Sequence, residues 1–370
     1  MTRHAGRYSV PTKPERYDFV IDTYNEYYFE PCNFPTVRAH CLYEGLKKMG
    51  YSCFLRKKSI LEWLLRQAKL KKRFSKYATD PIPPARFLIN TFYQMDDAHW
   101  RELRKEYEQA KIPYFFNMQD FSIGDLELYF TGQTRWFREH GANLCHTLLK
   151  EHKSEREYFI GTGVDPELLK PDKKKSILVE CGNKEDRKKT AWHELATGHE
   201  PKISIEVFNR ALAEFQRQGY RIVMCGDTFK DVYFSFKPDK KFKYSSHRKF
   251  TEIMNQAAIY IAKEESYGLP LAETQMAGTV LVLRTGEYPE NMVLTEKHSE
   301  YEGAKFENGG FVNIKRSAES LKEAIKRAIQ ITEEKDCCEK IRNAVLNEFD
   351  YMTQSKRVAD ICLAVEKSGN

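Results

Sequence analysis

No run in this 370-residue chain approaches the roughly 20 consecutive apolar residues that a membrane-crossing helix needs, so a spanning helix is not expected. The opening residues, Met1-Thr2-Arg3-His4, lack the apolar stretch of a signal peptide, and the expectation is a cytoplasmic protein. Nine cysteines are present, yet no two are spaced Cys-x-x-Cys and only Cys337 and Cys338 adjoin. Neither a disulfide framework nor a cysteine zinc site is indicated, and reduced, buried thiols are expected. A Gly-x4-Gly-Lys-Ser/Thr phosphate loop and a Gly-x-Ser-x-Gly elbow are both missing, which removes support for nucleoside-triphosphate hydrolysis and serine-esterase chemistry. His193 and His199 suggest a zinc-protease motif at a glance, but the second stands two residues too far along for one helical face. Short-period repeats and low-complexity segments are also lacking, which argues against solenoids and disordered arrays.

What is present reads as globular. Hydrophobic residues make up 41% and charged residues 31%, and the length suggests about two domains rather than one core. The formal charge of +7 points to a polyanionic partner: phosphate esters, an anionic membrane or nucleic acid. Charge alone does not choose among them. No recognition motif supports nucleic acid, which ranks last.

Strand-like and helix-like stretches alternate along the chain. Strands are expected at 17–22, 52–56, 86–91 and 112–116, with helices at 36–49, 61–74 and 97–110 between them. A further strand at 126–130 and a helix at 133–152 complete a first run, which closes at a turn-rich joint, 166–175. The pattern restarts with strands at 176–180, 220–225 and 258–262 and helices at 203–218 and 249–255. Two such runs imply two parallel sheets covered by helices and facing a cleft. The tail, 317–367, has helical spacing almost throughout, and a long terminal helix is expected to brace both halves.

The stretch that carries chemistry is Glu265-Ser-Tyr-Gly-Leu-Pro-Leu-Ala-Glu273, just after a predicted strand. Pro270 suits the first turn of a helix, which leaves Gly268 and Leu269 where backbone N–H groups lack intrahelical partners. Such a helix start attracts phosphate, and carboxylates on either side of it suit sugar hydroxyls as hydrogen-bond acceptors.

This segment resembles the Glu-x7-Glu motif of retaining glycosyltransferases with the GT-B fold, although Ser266 and Tyr267 replace a usual glycine and phenylalanine. Gly161-Thr-Gly-Val-Asp165, Met224-Cys-Gly-Asp227, Thr285 to Glu290 and the loop Asn308-Gly-Gly-Phe311 are similar to other landmarks of that family, in the same order. The resemblance implies GT-B architecture: an acceptor-binding domain over 1–170, a nucleotide-sugar domain over 171–348 and a helix over 349–370 packing back on the first. It implies that Glu273 holds the donor ribose and Glu265 contacts the transferred sugar. Lys202, with Arg187 or Lys184 where Gly182-Asn183 replaces a usual Gly-Arg, would neutralise the diphosphate without a metal ion or any other cofactor. In the first domain Asp120 fits a usual His-Asp pair, while Gln119 occupies the histidine position and cannot take up a proton. The implied activity is sugar transfer, with retention, from a nucleotide sugar to a glycan or lipid-linked acceptor. A nucleotide-sugar epimerase and a degenerate, non-catalytic GT-B scaffold are the alternatives, the second kept open by Gln119 and Asn183.

Residues 55–76 carry Arg56, Lys57, Lys58, Arg66, Lys69, Lys71, Lys72, Arg73 and Lys76 against Glu62 alone. Such a stretch can lie on an anionic membrane surface as a basic amphipathic helix, which would make the protein peripheral; equally, it can be a core-facing helix with a wet basic face.

Overall fold

The computed structural model describes residues 14–27, 34–58, 81–91, 97–118, 136, 140–145, 148–149, 156–180, 205–225, 237–242, 247–261, 269–284, 301–302, 311–314 and 318–368. The first sheet contains β1 (Tyr17–Tyr27), β2 (Cys53–Lys58), β3 (Ala85–Asn90), β4 (Tyr114–Met118), β5 (Ala142–Cys145) and, after the two-residue β6 (Leu148–Leu149), β7 (Glu157–Phe159). Its order is β2-β1-β3-β4-β5-β7, parallel throughout. The second sheet contains β8 (Lys174–Glu180), β9 (Arg221–Cys225), β10 (Lys240–Phe242), β11 (Ala257–Ile261), β12 (Val280–Arg284) and, after β13 (Tyr301–Glu302), β14 (Phe311–Ile314). Its order is β10-β9-β8-β11-β12-β14, also parallel. β6 and β13 pair antiparallel, joining a strand from each half.

Helices α1 (Phe34–Lys48) and α2 (Asp97–Ala110) belong to the first half; α3 (Ile205–Arg217), α4 (His247–Gln256), α5 (Leu269–Met276), α6 (Ala318–Glu333) and α7 (Cys337–Phe349) belong to the second. Parallel pairing buries both faces of a sheet, so its strands are nearly continuous apolar runs such as Phe19-Val20-Ile21 and Ile177-Leu178-Val179, all fully buried. Each sheet has a separate cluster on each face. No helix among the described residues is long and apolar enough to cross a membrane.

The sequence reading departs from this fold at several elements: β10 and β12 were not expected, and three expectations are corrected. The helix expected at 133–152 is interrupted by β5, whose four residues are all buried between β4 and β7. Four residues, with the polar Asn143 among them, are too few to show a period, and pairing on both sides decided it. Phe311, taken as part of a loop, begins the edge strand β14, paired with β12. The tail is three helices, α6, α7 and α8 (Tyr351–Ser368), rather than one. The strand expected at 126–130 and the helix expected at 61–74 lie outside the described residues.

The break between α7 and α8 turns the chain back to the first half. Asp350 is extended (φ −64°, ψ 127°) and its Oδ1 accepts from the Met352 N–H at 2.8 Å, capping α8. Val164 in the inter-sheet joint donates its N–H to Phe349 O (2.8 Å), and its carbonyl accepts from Tyr351 N–H (3.1 Å). Val358, Ala359 and Cys362 of α8 then complete the core beneath β1 and β3 with Leu42 and Leu46 of α1. The two helices meet at Gly45, where a Cβ would lie 2.0 Å from Ser355 Oγ and 2.7 Å from its Cβ.

Two predictions follow from these contacts. Gly45→Ala should destabilise the fold by about 1–3 kcal/mol through overpacking, read as a lower urea midpoint with an unchanged m-value. Burial pushes the Lys173 ammonium down to about 7, where it donates to Met254 O (3.2 Å) and Thr279 Oγ1 (2.5 Å). The unfolded lysine holds its proton to about pH 10, so the unfolded state binds more protons across that window and stability should rise from about pH 7 to about pH 10. Lys173→Met should remove this slope; equal slopes in urea titrations of the two proteins would count against it.

Candidate functional site

In parallel sheets, ligands bind outside the carboxyl ends of the strands, where the strand order reverses. In the second sheet that point lies between β8 and β11. The chain leaving β11 leads to α5, whose start, Leu269, is buried in the same cluster as Val37 of α1 and Phe349 of α7. Every side chain from Ala272 to Ala277 is buried, so the one acid of α5, Glu273, is carried inside. Glu273 is 1% exposed, and its Oε1 contacts Nε2 of His247, the first residue of α4. A carboxylate only accepts, so His247 Nε2–H is the donor. The second oxygen, Oε2, is buried with no hydrogen-bond partner.

Across from it, Cys41 on α1 has its thiol pushed well up, first by burial and then by the negative charges of Asp165 and Glu273. This thiol is inert at neutral pH. It also shows that a helix of the first half stands within electrostatic reach of Glu273. Thr162, in the joint that follows β7, is likewise buried with an unpartnered Oγ1.

Of the site residues named from sequence, Glu273 and Leu269 are placed by the structure. Glu265, Gly268, Lys202, Arg187, Lys184, Gln119 and Asp120 lie outside the described residues. His247 was missed: it stands 26 positions from Glu273, and no spacing rule connects them.

The first sheet carries a polar rung that sequence reading also missed. Asp22, Arg56 and Asn90 are register partners across β1, β2 and β3. Arg56 Nη1 donates to Asp22 Oδ2 at 2.8 Å, and its Nη2 pairs with Glu106 of α2. Tyr107 donates its hydroxyl to the same Asp22 oxygen (2.8 Å) and accepts from Asn90 Nδ2 (2.7 Å). Burial alone would lower the Arg56 pKa, but Asp22 and Glu106 more than reverse this and raise it. The phenol of Tyr107 is pushed up by burial and then by Asp22. Arg56 was counted among the cations of a membrane-facing basic stretch; it is instead 2% exposed and committed to this rung. Residues 59–80 of that stretch lie outside the described ones.

No protein-family model and no curated protein matches the chain. Solved structures do match over nearly its whole length. A glycosyltransferase from Rickettsia africae superimposes with a TM-score of 0.56 at 10% identity, covering 95% of this chain and 99% of its own. The sucrose-phosphate synthase of Thermosynechococcus elongatus gives 0.56 at 11% identity, with 95% and 100% covered. Anabaena HepE in complex with UDP gives 0.52 at 9% identity, with 94% and 100% covered.

The fold is GT-B. Two six-stranded parallel sheets with flanking helices, and a terminal helix that leaves the second half to pack on the first, are its architecture. Identities near one in ten establish the GT-B fold and nothing finer. Within it, the Asp22–Arg56 rung is a closed, satisfied network, whereas Glu273 retains an open oxygen. Removing one partner of the rung should therefore cost stability: Arg56→Met leaves a buried, uncompensated Asp22, and about 3–5 kcal/mol should be lost in urea denaturation. The double substitution Asp22→Leu with Arg56→Met should recover most of it; no recovery would mean the ion pair is not what the rung supplies.

Proposed function

We propose that this chain is a glycosyltransferase that takes a sugar from a nucleoside-diphosphate sugar and passes it to a glycan or lipid-linked acceptor. The observation that carries the proposal is the Glu273 carboxylate. A buried acceptor left unpartnered costs about 1–3 kcal/mol, and a ligand hydroxyl is what would offset it. Its place, one turn into a helix beside the switch point of a nucleotide-binding-type sheet, fits a ribose whose diphosphate lies nearer the helix start, at the backbone N–H groups of Gly268 and Leu269. The GT-B neighbours support the reaction class: two are glycosyl-transferring by their names, and a third was solved with UDP.

In this reading the division of labour runs 1–170 for the acceptor, 171–348 for the donor and 349–370 as the returning helix. Glu265 contacts the transferred sugar, and Lys202 with Arg187 or Lys184 balances the leaving diphosphate without a metal. Transfer proceeds with retention through an oxocarbenium-like transition state stabilised by those cations and backbone donors. Asp120 and Gln119 face the sugar from the first half, where Gln119 hydrogen-bonds without exchanging a proton.

The test is calorimetry and thermal shift of wild type and Glu273→Ala with UDP, GDP, ADP and CMP and their sugar conjugates, without added metal. One nucleoside diphosphate should bind, and Glu273→Ala should weaken it about tenfold or more, equivalent to at least about 1.4 kcal/mol. Wild type that binds none of them would overturn the donor site and leave a scaffold.

A further inference from the structure

We infer that His247 is the positioning residue of the ribose site: it fixes the Glu273 carboxylate so that the donor is read as a ribonucleotide rather than a 2′-deoxyribonucleotide. This rests on the donor-site reading and adds a residue and a selectivity to it.

The last torsion of a glutamate is broad and roughly two-fold, so a carboxylate in an open site has no preferred direction for either oxygen. Here one oxygen is pinned. His247 is buried at the first position of α4, with Phe250, Thr251 and Met254 of the same helix also buried. α4 thus holds the ring against the sheet and brings Nε2 onto Glu273 Oε1. With Oε1 committed to that N–H, Oε2 keeps its lone pairs in fixed directions, buried and met by no protein donor among the described residues. A ligand must bring that donor. A ribose offers two adjacent hydroxyls, both able to donate, while a 2′-deoxyribose offers one. A site built to pair a hydroxyl rejects the analogue lacking it, because its buried polar group is then left unsatisfied.

The arrangement also accounts for an ion pair made at a distance in sequence. His247 and Glu273 lie on helices either side of β11, and neither helix needs the pair to pack: both contribute to one apolar cluster through Phe250, Met254, Leu269 and Ala272.

The experiment measures, for the nucleoside diphosphate that wild type binds among UDP, GDP and ADP, the affinity ratio between the ribonucleotide and its 2′-deoxy form. Wild type should favour the ribonucleotide by about tenfold. His247→Phe, which keeps ring volume and removes the donor, should bring the ratio close to one, and His247→Gln, which restores an N–H donor, should recover most of it. If His247→Phe does not show a cooperative melt, His247→Asn, whose shorter amide falls short of Glu273, takes its place in the comparison. A folded Phe or Asn variant that keeps the wild-type ratio overturns the positioning role alone. Wild type that binds ribo and deoxy forms equally overturns the ribose assignment of Oε2 while leaving nucleotide binding intact. Wild type that binds no nucleoside diphosphate overturns the donor site, and this inference with it.

Discussion

The architecture depends on one chain reversal. Extended backbone at Asp350 stops α7, and the hydrogen bonds from Val164 to Phe349 and from Tyr351 to Val164 fasten that stop to the joint between the sheets. Because the joint and the return strand are bonded to each other, the two halves are linked twice at one level rather than by a single tether. Arg342 of α7 adds to the same place, with Nη2 donating to Pro166 O (2.9 Å) and Nη1 to the carbonyls of Leu169 and Met276. The guanidinium thus ties the joint to the end of α5, the helix that carries Glu273. This cluster of backbone and guanidinium hydrogen bonds fastens the joint, α5, α7 and the start of α8 to one another.

Close packing then transmits that geometry. Gly45 and Gly163 let α8 approach α1 and the joint more nearly than any side chain allows, since a Cβ at Gly163 would stand 2.3 Å from Gln354 Oε1. Gln354 in turn donates its amide to Gly161 O at 2.6 Å. The return helix is therefore keyed to the first half by glycines, where packing density leaves no slack.

The two carboxylates buried among the described residues show opposite solutions to the same electrostatic problem. Asp22 meets an arginine, a tyrosine hydroxyl and the register partner Asn90 in one network, so its charge is compensated and the rung stabilises the sheet. Glu273 meets His247 on one oxygen only. One acid is thus compensated within the fold, while the other keeps a buried oxygen without a hydrogen-bond partner.

Much of the architecture was legible from sequence because apolar periodicity is local. The spacing of Val37, Leu42 and Leu46 marks α1, and the run Ile177-Leu178-Val179 marks an inner strand, whatever their surroundings. Glu273 was also named from sequence, and the structure places it buried on α5. What the sequence could not state is which groups meet across the fold. Whether Ala142–Cys145 forms a strand was decided by pairing on both edges. Whether Arg56 faces water or Asp22 was decided by sheet register. That His247 holds Glu273 was decided by two helices packing around β11. By itself the sequence determined most of the alternation of strands and helices and the residue types available at one helix start, because these depend on neighbours in the chain. Only the tertiary structure decided which buried charges are satisfied and which buried oxygen is left unpaired, because burial and partnership depend on residues far apart in sequence.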